Sequence, residues 1–342
     1  MGKPKVTIGI PVYNVDQYLV QCLQSAVKQD YENLEIIIVD DCSTDSSGYI
    51  IDEFAAKDDR IRVIRHIRNK KNSAGRNDIV REATGDFIYW LDGDDYLQPF
   101  AVSSCVDAIS KHRVDIVKTA IFPDDAKYAG SYTRNEYMPI LIPGKISSQI
   151  IGSLFKKELY TDIRHDENRN LSDYDTFPLL VDNAKRIAVI ANDSYNYRVL
   201  RPGSVTEQSE GRFSGYALKA YMTNKRYLKY RNEFPKECEL VLKQFAENAC
   251  MANMCAEDKD DTLPVRDLMY VREIAVMESE RIDKYQKWAY KQVINHSNWL
   301  PMIKWFTENR QQLPFGKKDK EDDEDDKKKK GKKKKKAASK KK

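Results

Sequence analysis

Asp92, Asp94 and Asp95 stand around Gly93 at the end of the apolar run Phe87-Ile88-Tyr89-Trp90-Leu91. Carboxylates this close repel one another unless a cation is present. Hard divalent ions such as Mn2+ or Mg2+ take oxygen ligands and commonly bind substrate phosphates too. A solvated acidic turn has the same sequence, so the triplet alone decides nothing. Its setting adds weight. Pro11–Asn14 and Asp40-Asp41 also follow short apolar runs, and Asn72–Arg76 lies at the start of a helical stretch.

The elements that must position these residues are readable from periodicity. Val6–Ile10, Leu34–Val39, Ile61–Ile64, Phe87–Leu91 and Val114–Val117 read as strands. Between them, Asp16–Lys28, the stretch after Ser43–Ser47, Ala74–Ala83 and Phe100–Lys111 carry apolar residues at helical spacing. Strands separated by helices predict an α/β fold with a mainly parallel sheet flanked by helices. Ligands of such sheets bind beyond the carboxyl ends of the strands. The polar segments after the first, second and fourth strands should therefore converge on one edge.

Further along, the pattern weakens from Phe122 to Gly144. Ile146–Leu159 reads as a helix, as does Asp173–Asp182. Ile187–Ile190 and Ser194–Arg198 read as strands. Beyond Ser209 the chain reads as helical. The expected division is a catalytic domain over 1–208, a C-terminal helical module over 209–316 and a disordered Lys-rich tail over 317–342.

The formal charge of +5 is misleading as a whole. The tail holds 15 Lys against 7 acidic residues, and the body holds 43 basic against 46 acidic. A mildly acidic body argues against specific nucleic-acid binding. The six cysteines form no metal-binding spacing and read as free thiols in a reducing compartment. The N-terminus has no signal-peptide core, and no run reaches the ~20 apolar residues of a membrane span. A cytoplasmic location is expected. The tail lysines would favour anionic lipid at the inner membrane face, and a solvated tail without a partner is the rival reading.

At this point the chain resembles the family 2 glycosyltransferases of GT-A fold. The resemblance is carried by Ile10-Pro11-Val12-Tyr13-Asn14, Ile38-Val39-Asp40-Asp41-Cys42-Ser43-Thr44-Asp45, Asn72-Ser73-Ala74-Gly75-Arg76-Asn77, Gly85-Asp86-Phe87 and Leu91–Asp95. It implies an inverting transfer from a nucleotide-diphosphate sugar, a UDP-sugar by preference. A hexosyl or N-acetylhexosaminyl group would pass to a hydroxyl of a glycan, polymer or lipid-linked acceptor of the bacterial cell surface. Pro11 and Tyr13 would flank the base, Asp40 would accept from its N–H, and Asp41 would cap the loop. Asn72 and Arg76 would reach the diphosphate or sugar, and Asp92 the ribose or metal. Asp94 would be the principal ligand of Mn2+ or Mg2+. The bland alternatives are a surface Tyr13, a helix-terminal charge at Asp40 and a surface ion pair at Arg76.

Inverting transfer also needs a general base. In the family this carboxylate opens a helix, which here matches Leu171–Phe177 and points to Asp173. Ser172 stands where the family usually has Glu, and Asp175 competes for the role. Tyr195–Arg198 with Arg201–Thr206 resembles the strand and turn that close the catalytic domain, where Arg198 or Arg201 would neutralise the leaving diphosphate. No metal-binding His follows that turn, and His165 reads as a loop residue. The C-terminal helices leave acceptor binding, oligomerisation and membrane contact all open. Two rival classes remain. One is a silent GT-A domain serving as a partner subunit. The other, a dinucleotide-dependent oxidoreductase, is disfavoured because no glycine-rich turn follows the first strand.

Overall fold

The computed structural model describes residues 2–167, 173–198 and 230–238. The helical module of 209–316 (230–238 apart), the tail, Ser172, the Arg201–Thr206 turn and the Asp175 side chain lie outside the described residues.

The chain begins β1 (Val6–Val12), α1 (Asp16–Val27), β2 (Leu34–Asp40), α2 (Ser47–Ala55), β3 (Ile61–Arg65), α3 (Lys71–Glu82) and β4 (Phe87–Trp90). It continues through β5 (Tyr96–Leu97), α4 (Ala101–His112), β6 (Ile116–Thr119), β7 (Gly130–Thr133), α5 (Arg134–Leu141) and β8 (Ser153–Lys156). The last of these described elements are α6 (Asp173–Asn183), β9 (Arg186–Ile190) and β10 (Tyr195–Asn196).

Eight strands form one sheet in the order β3-β2-β1-β4-β8-β6-β9-β7. The first four are mutually parallel, as the alternating pattern requires. β1 and β2 are central strands covered on both faces, which is why their sequences are almost wholly apolar. α1, α2 and α4 cover one face, burying Leu19, Cys22 and Leu23, Ile51, and Val102 and Cys105 against it. α3, α5 and α6 cover the other with Ile79, Tyr137, Met138, Phe177 and Leu180. α3 approaches closely because small residues face the sheet. A Cβ on Gly75 would sit 3.5 Å from both Pro11 and Val39.

The second half of the sheet departs from the expectation. Ile146–Leu159 is not a helix. It contains β8, antiparallel to both β4 and β6, followed by a 3-10 turn over Lys157–Tyr160. Leu154 and Phe155 bury on opposite faces. Gly152, at φ +64°, turns the chain into the strand. An apolar run this short fits helix or strand equally by periodicity, and only the gap between β4 and β6 decides it. β6 begins two residues later than expected. In the weak stretch, Thr133 and Glu136 form a reciprocal capping box that starts α5, a signature present in the sequence but unread.

Residues 230–238 pack on α5 and α6. Tyr230 and Phe234 enter the core there, and Arg134 bonds Asp182 at 2.9 Å and Glu233 at 3.0 Å. Among the described residues no helix is long and apolar enough to cross a membrane. Cys22, Cys105 and Cys238 are buried free thiols, and Cys42 is partly buried.

Candidate active site

β1, β2, β4 and β6 all end at one edge, and the polar segments expected to converge do so. Their loops are stitched together. The Asp41 amide donates to the Val12 carbonyl at 2.9 Å, and the Thr44 amide donates to Asn14 Oδ1 at 2.8 Å. Gly93 packs against the end of β1, where a Cβ would lie 3.2 Å from the Pro11 carbonyl oxygen. Pro11 is held in β1 opposite Val39. Tyr13 follows β1 and is 46% exposed, its ring available to a flat ligand. Asn72 lies in the first turn of α3 and is exposed.

Asp40 closes β2 and is buried. It accepts from the Ser43 amide at 2.9 Å and lies 3.8 Å from Arg65. Asp41 turns the other way. Its Oδ1 meets His66 Nδ1 at 2.6 Å and accepts from the Lys70 amide at 2.7 Å. The second ring nitrogen of His66 meets Asp78 at 2.7 Å. A buried histidine thus ties the end of β2 to α3. No local sequence pattern joins positions 41, 66 and 78, so only the fold brings them together.

The carboxylates of Asp92, Asp94 and Asp95 can each offer one oxygen so that all three lie within 4.8 Å. An all-oxygen set of this kind suits Mn2+ or Mg2+. Burial raises the Asp92 carboxyl above the ordinary range; Arg76 opposes this and Asp94 adds to it. With 26% of the side chain still open to water, the rise is moderate. Burial, with Asp94 and Asp92 beside it, pushes Asp95 up to about 8. A cation at the turn would relieve both effects.

Arg76 is fully enclosed. Its guanidinium donates to Asp92 Oδ1 at 3.0 Å, pairs with Asp173 and lies 5.9 Å from the Trp90 ring centre. Asp173, the first residue of α6, is buried and joined through Arg76 to the acidic turn. The surface ion pair considered for Arg76 is therefore a buried one. His165 lies in a loop and is buried as well, edge-on to Trp90 and 3.2 Å from the Thr176 hydroxyl. Burial and the neighbouring Arg76 hold its ring well below the usual histidine value, hence neutral.

A profile of glycosyl transferase family 2 matches residues 7–171. Glycosyltransferase GlyG of Streptococcus pneumoniae is 30% identical over 219 residues, 58% of this chain and 72% of GlyG. The chain belongs to glycosyltransferase family 2.

Solved structures share the fold of this glycosyltransferase. S. aureus TarS 1–349 in complex with UDP-GlcNAc aligns at TM-score 0.58 and 18% identity, covering 84% of this chain and 92% of that one. Mannosyltransferase PcManGT from Pyrobaculum calidifontis, in complex with GDP-Man and Mn2+, aligns at TM-score 0.55 and 15% identity, covering 90% and 87%.

Around the acidic turn the glycosyltransferase has a second layer that the sequence only partly announced. Arg198 does not point into open solvent. It donates to the Asp94 carbonyl and lies between the rings of Tyr18 and Tyr96, 5.0 Å from each centre. Lys118 on β6 is fully buried, donating to the Gln149 carbonyl at 3.0 Å and lying 5.5 Å from the Phe177 ring centre. Apolar runs hide such residues, since nothing in the local sequence separates a buried lysine from a strand-end one.

Proposed function

We propose that this glycosyltransferase moves a sugar from a UDP-sugar to a hydroxyl of a cell-surface glycan or polymer, with inversion at the anomeric carbon. The observation that carries the reading is the chain Asp173–Arg76–Asp92. It links a buried carboxylate at a helix start to the acidic turn, as a base beside a diphosphate site requires. The complexes of TarS with UDP-GlcNAc and of PcManGT with GDP-Man and Mn2+ support a nucleotide-sugar donor.

Tyr13 and Pro11 flank the base, and Asp40 accepts from its N–H, which favours uracil. Asn72 and the first turn of α3 face the sugar-diphosphate. Asp94 and Asp92 would hold Mn2+ or Mg2+, which supplies neutralising charge at the diphosphate. The acceptor oxygen bonds to the anomeric carbon while the bond from that carbon to the diphosphate oxygen breaks. The bonding pair leaves with the diphosphate, and the hydroxyl proton passes to Asp173. Arg76 pairs with Asp173 and orients it, so the carboxylate has to rotate part of its hydrogen bonding from the guanidinium to the incoming hydroxyl.

A thermal-shift panel of UDP-, GDP- and dTDP-sugars with and without Mn2+ tests the donor. Stabilisation by a UDP-sugar that grows with Mn2+ is expected. Selective response to a GDP- or dTDP-sugar would reject the uracil assignment. Product of retained anomeric configuration would reject the single displacement.

A further inference from the structure

Asp95 is 0% exposed, and both its oxygens are engaged. Oδ2 accepts from the Tyr195 hydroxyl at 2.6 Å, and Oδ1 accepts from the Arg198 amide at 2.8 Å. The Tyr195 oxygen also accepts from the Asp92 amide at 3.3 Å. Arg198 donates through its guanidinium to the Asp94 carbonyl and to Gln21 on α1. The Tyr195 ring is itself wedged against Gly152, where a Cβ would come within 2.9 Å of it. Three groups of one tight turn are thus held from outside it: the amide of Asp92, the carbonyl of Asp94 and the side chain of Asp95. Both residues that hold them lie about a hundred positions downstream.

We propose that Tyr195 and Arg198 are positioning residues for the cation site, gripping Asp95 as an anchor so that Asp92 and Asp94 are the carboxylates presented to the ion. The three acidic residues then divide into two roles. Asp92 is partly and Asp94 incompletely buried, so their oxygens can face a ligand. Asp95 has no face toward solvent, and its hydrogen bonds point back into the protein. A turn rich in like charge repels itself apart unless its backbone is fixed, and a fixed backbone is what lets a weakly bound ion keep its geometry. Neither Tyr195 nor Arg198 touches the substrate in this role.

The inference rests on the metal reading above, and one experiment separates the two. Mn2+ is titrated into the full chain in the presence of UDP, with free Mn2+ followed by electron paramagnetic resonance. Absence of Mn2+ binding by the wild-type chain would reject the metal reading itself. Given binding, Tyr195→Phe should weaken Mn2+ about 10-fold, while the affinity for UDP in EDTA stays unchanged. Asp95→Asn keeps an acceptor for the Arg198 amide and a partner for Tyr195, so it should weaken Mn2+ far less than Asp94→Asn. If Tyr195→Phe fails to fold by circular dichroism, Arg198→Lys carries the test. Its single ammonium cannot reach both the Asp94 carbonyl and Gln21, and a several-fold loss of Mn2+ affinity is expected. Wild-type Mn2+ affinity in Tyr195→Phe, or in Arg198→Lys where that variant carries the test, overturns the proposal. An Asp95→Asn defect equal to that of Asp94→Asn overturns it too, because Asp95 is then a ligand.

Discussion

The guanidinium of Arg76 pairs with the carboxylate of Asp173, 97 positions further along the chain, while its other nitrogen reaches Asp92 at 3.0 Å. One enclosed cation therefore neutralises two carboxylates to which the proposed mechanism gives different roles. Removing it leaves a buried Asp173 and a partly buried Asp92 without this partner. Arg76→Ala should lose about 3–5 kcal/mol of stability. Arg76→Lys should recover only part of this, since an ammonium cannot fork between two carboxylates. Urea unfolding of the three proteins gives the comparison.

Asp173→Asn keeps the shape and removes the proposed proton acceptor. Transfer should fall about 10²–10⁴-fold with UDP affinity within a few-fold of wild type. Near-normal turnover would hand the role to another carboxylate, with Asp175 the first to test.

His66 holds Asp41 at one ring nitrogen and Asp78 at the other. His66→Phe leaves two largely buried carboxylates short of a partner and should cost about 3 kcal/mol. The loop from His66 to Lys70 also carries the amide bonded to Asp41. UDP affinity should therefore drop with stability, which calorimetry would show. Unchanged melting would mean that the two carboxylates find other partners.

Burial holds Lys118 down to about 8, against the fields of Asp125 and Asp173. In the unfolded chain a lysine loses its proton near 10.4. Between about pH 8 and 10 the unfolded state binds more protons than the folded one, so this group makes stability rise with pH across that window. Below it the full burial cost is present. Lys118→Met should abolish the rise and add about 1–2 kcal/mol at pH 7, the loss of the Gln149 hydrogen bond offsetting part of the gain. Chemical denaturation of both proteins from pH 7 to 10 checks it.

Glu35 favours the fold where the Lys118 charge opposes it, although stability rises with pH through both titrations. Burial alone would raise its carboxyl, but bonds from Thr7, the Thr84 side chain and amide, and Lys5 hold it at about 2. Its contribution is present above the unfolded value near 4.3 and is lost as pH falls toward 2. These bonds fix the turn before β4, the strand that ends in the acidic residues. Glu35→Gln should flatten the acid limb of the stability profile. An unchanged limb between pH 4.5 and 2.5 would remove Glu35 as its source.

By itself the sequence determined the alternation of β1 to β4 with their helices, because continuous apolar strands and amphipathic helices bury in only one way. It also determined which segments end at the ligand edge: Pro11–Asn14, Asp40-Asp41 and Asp92–Asp95 each interrupt an apolar run where the chain must leave the sheet. Tertiary structure decided the rest. Within Ile146–Leu159, Ser153–Lys156 became β8 because a gap with two unpaired edges waited between β4 and β6, and backbone hydrogen bonding overrides the weak preference of a short apolar run. The pairings Arg76–Asp173, His66–Asp41 and Tyr195–Asp95 join positions 97, 25 and 100 residues apart. Such partners are selected by burial, where an unmatched charge or hydroxyl is costly, and no local pattern records that choice.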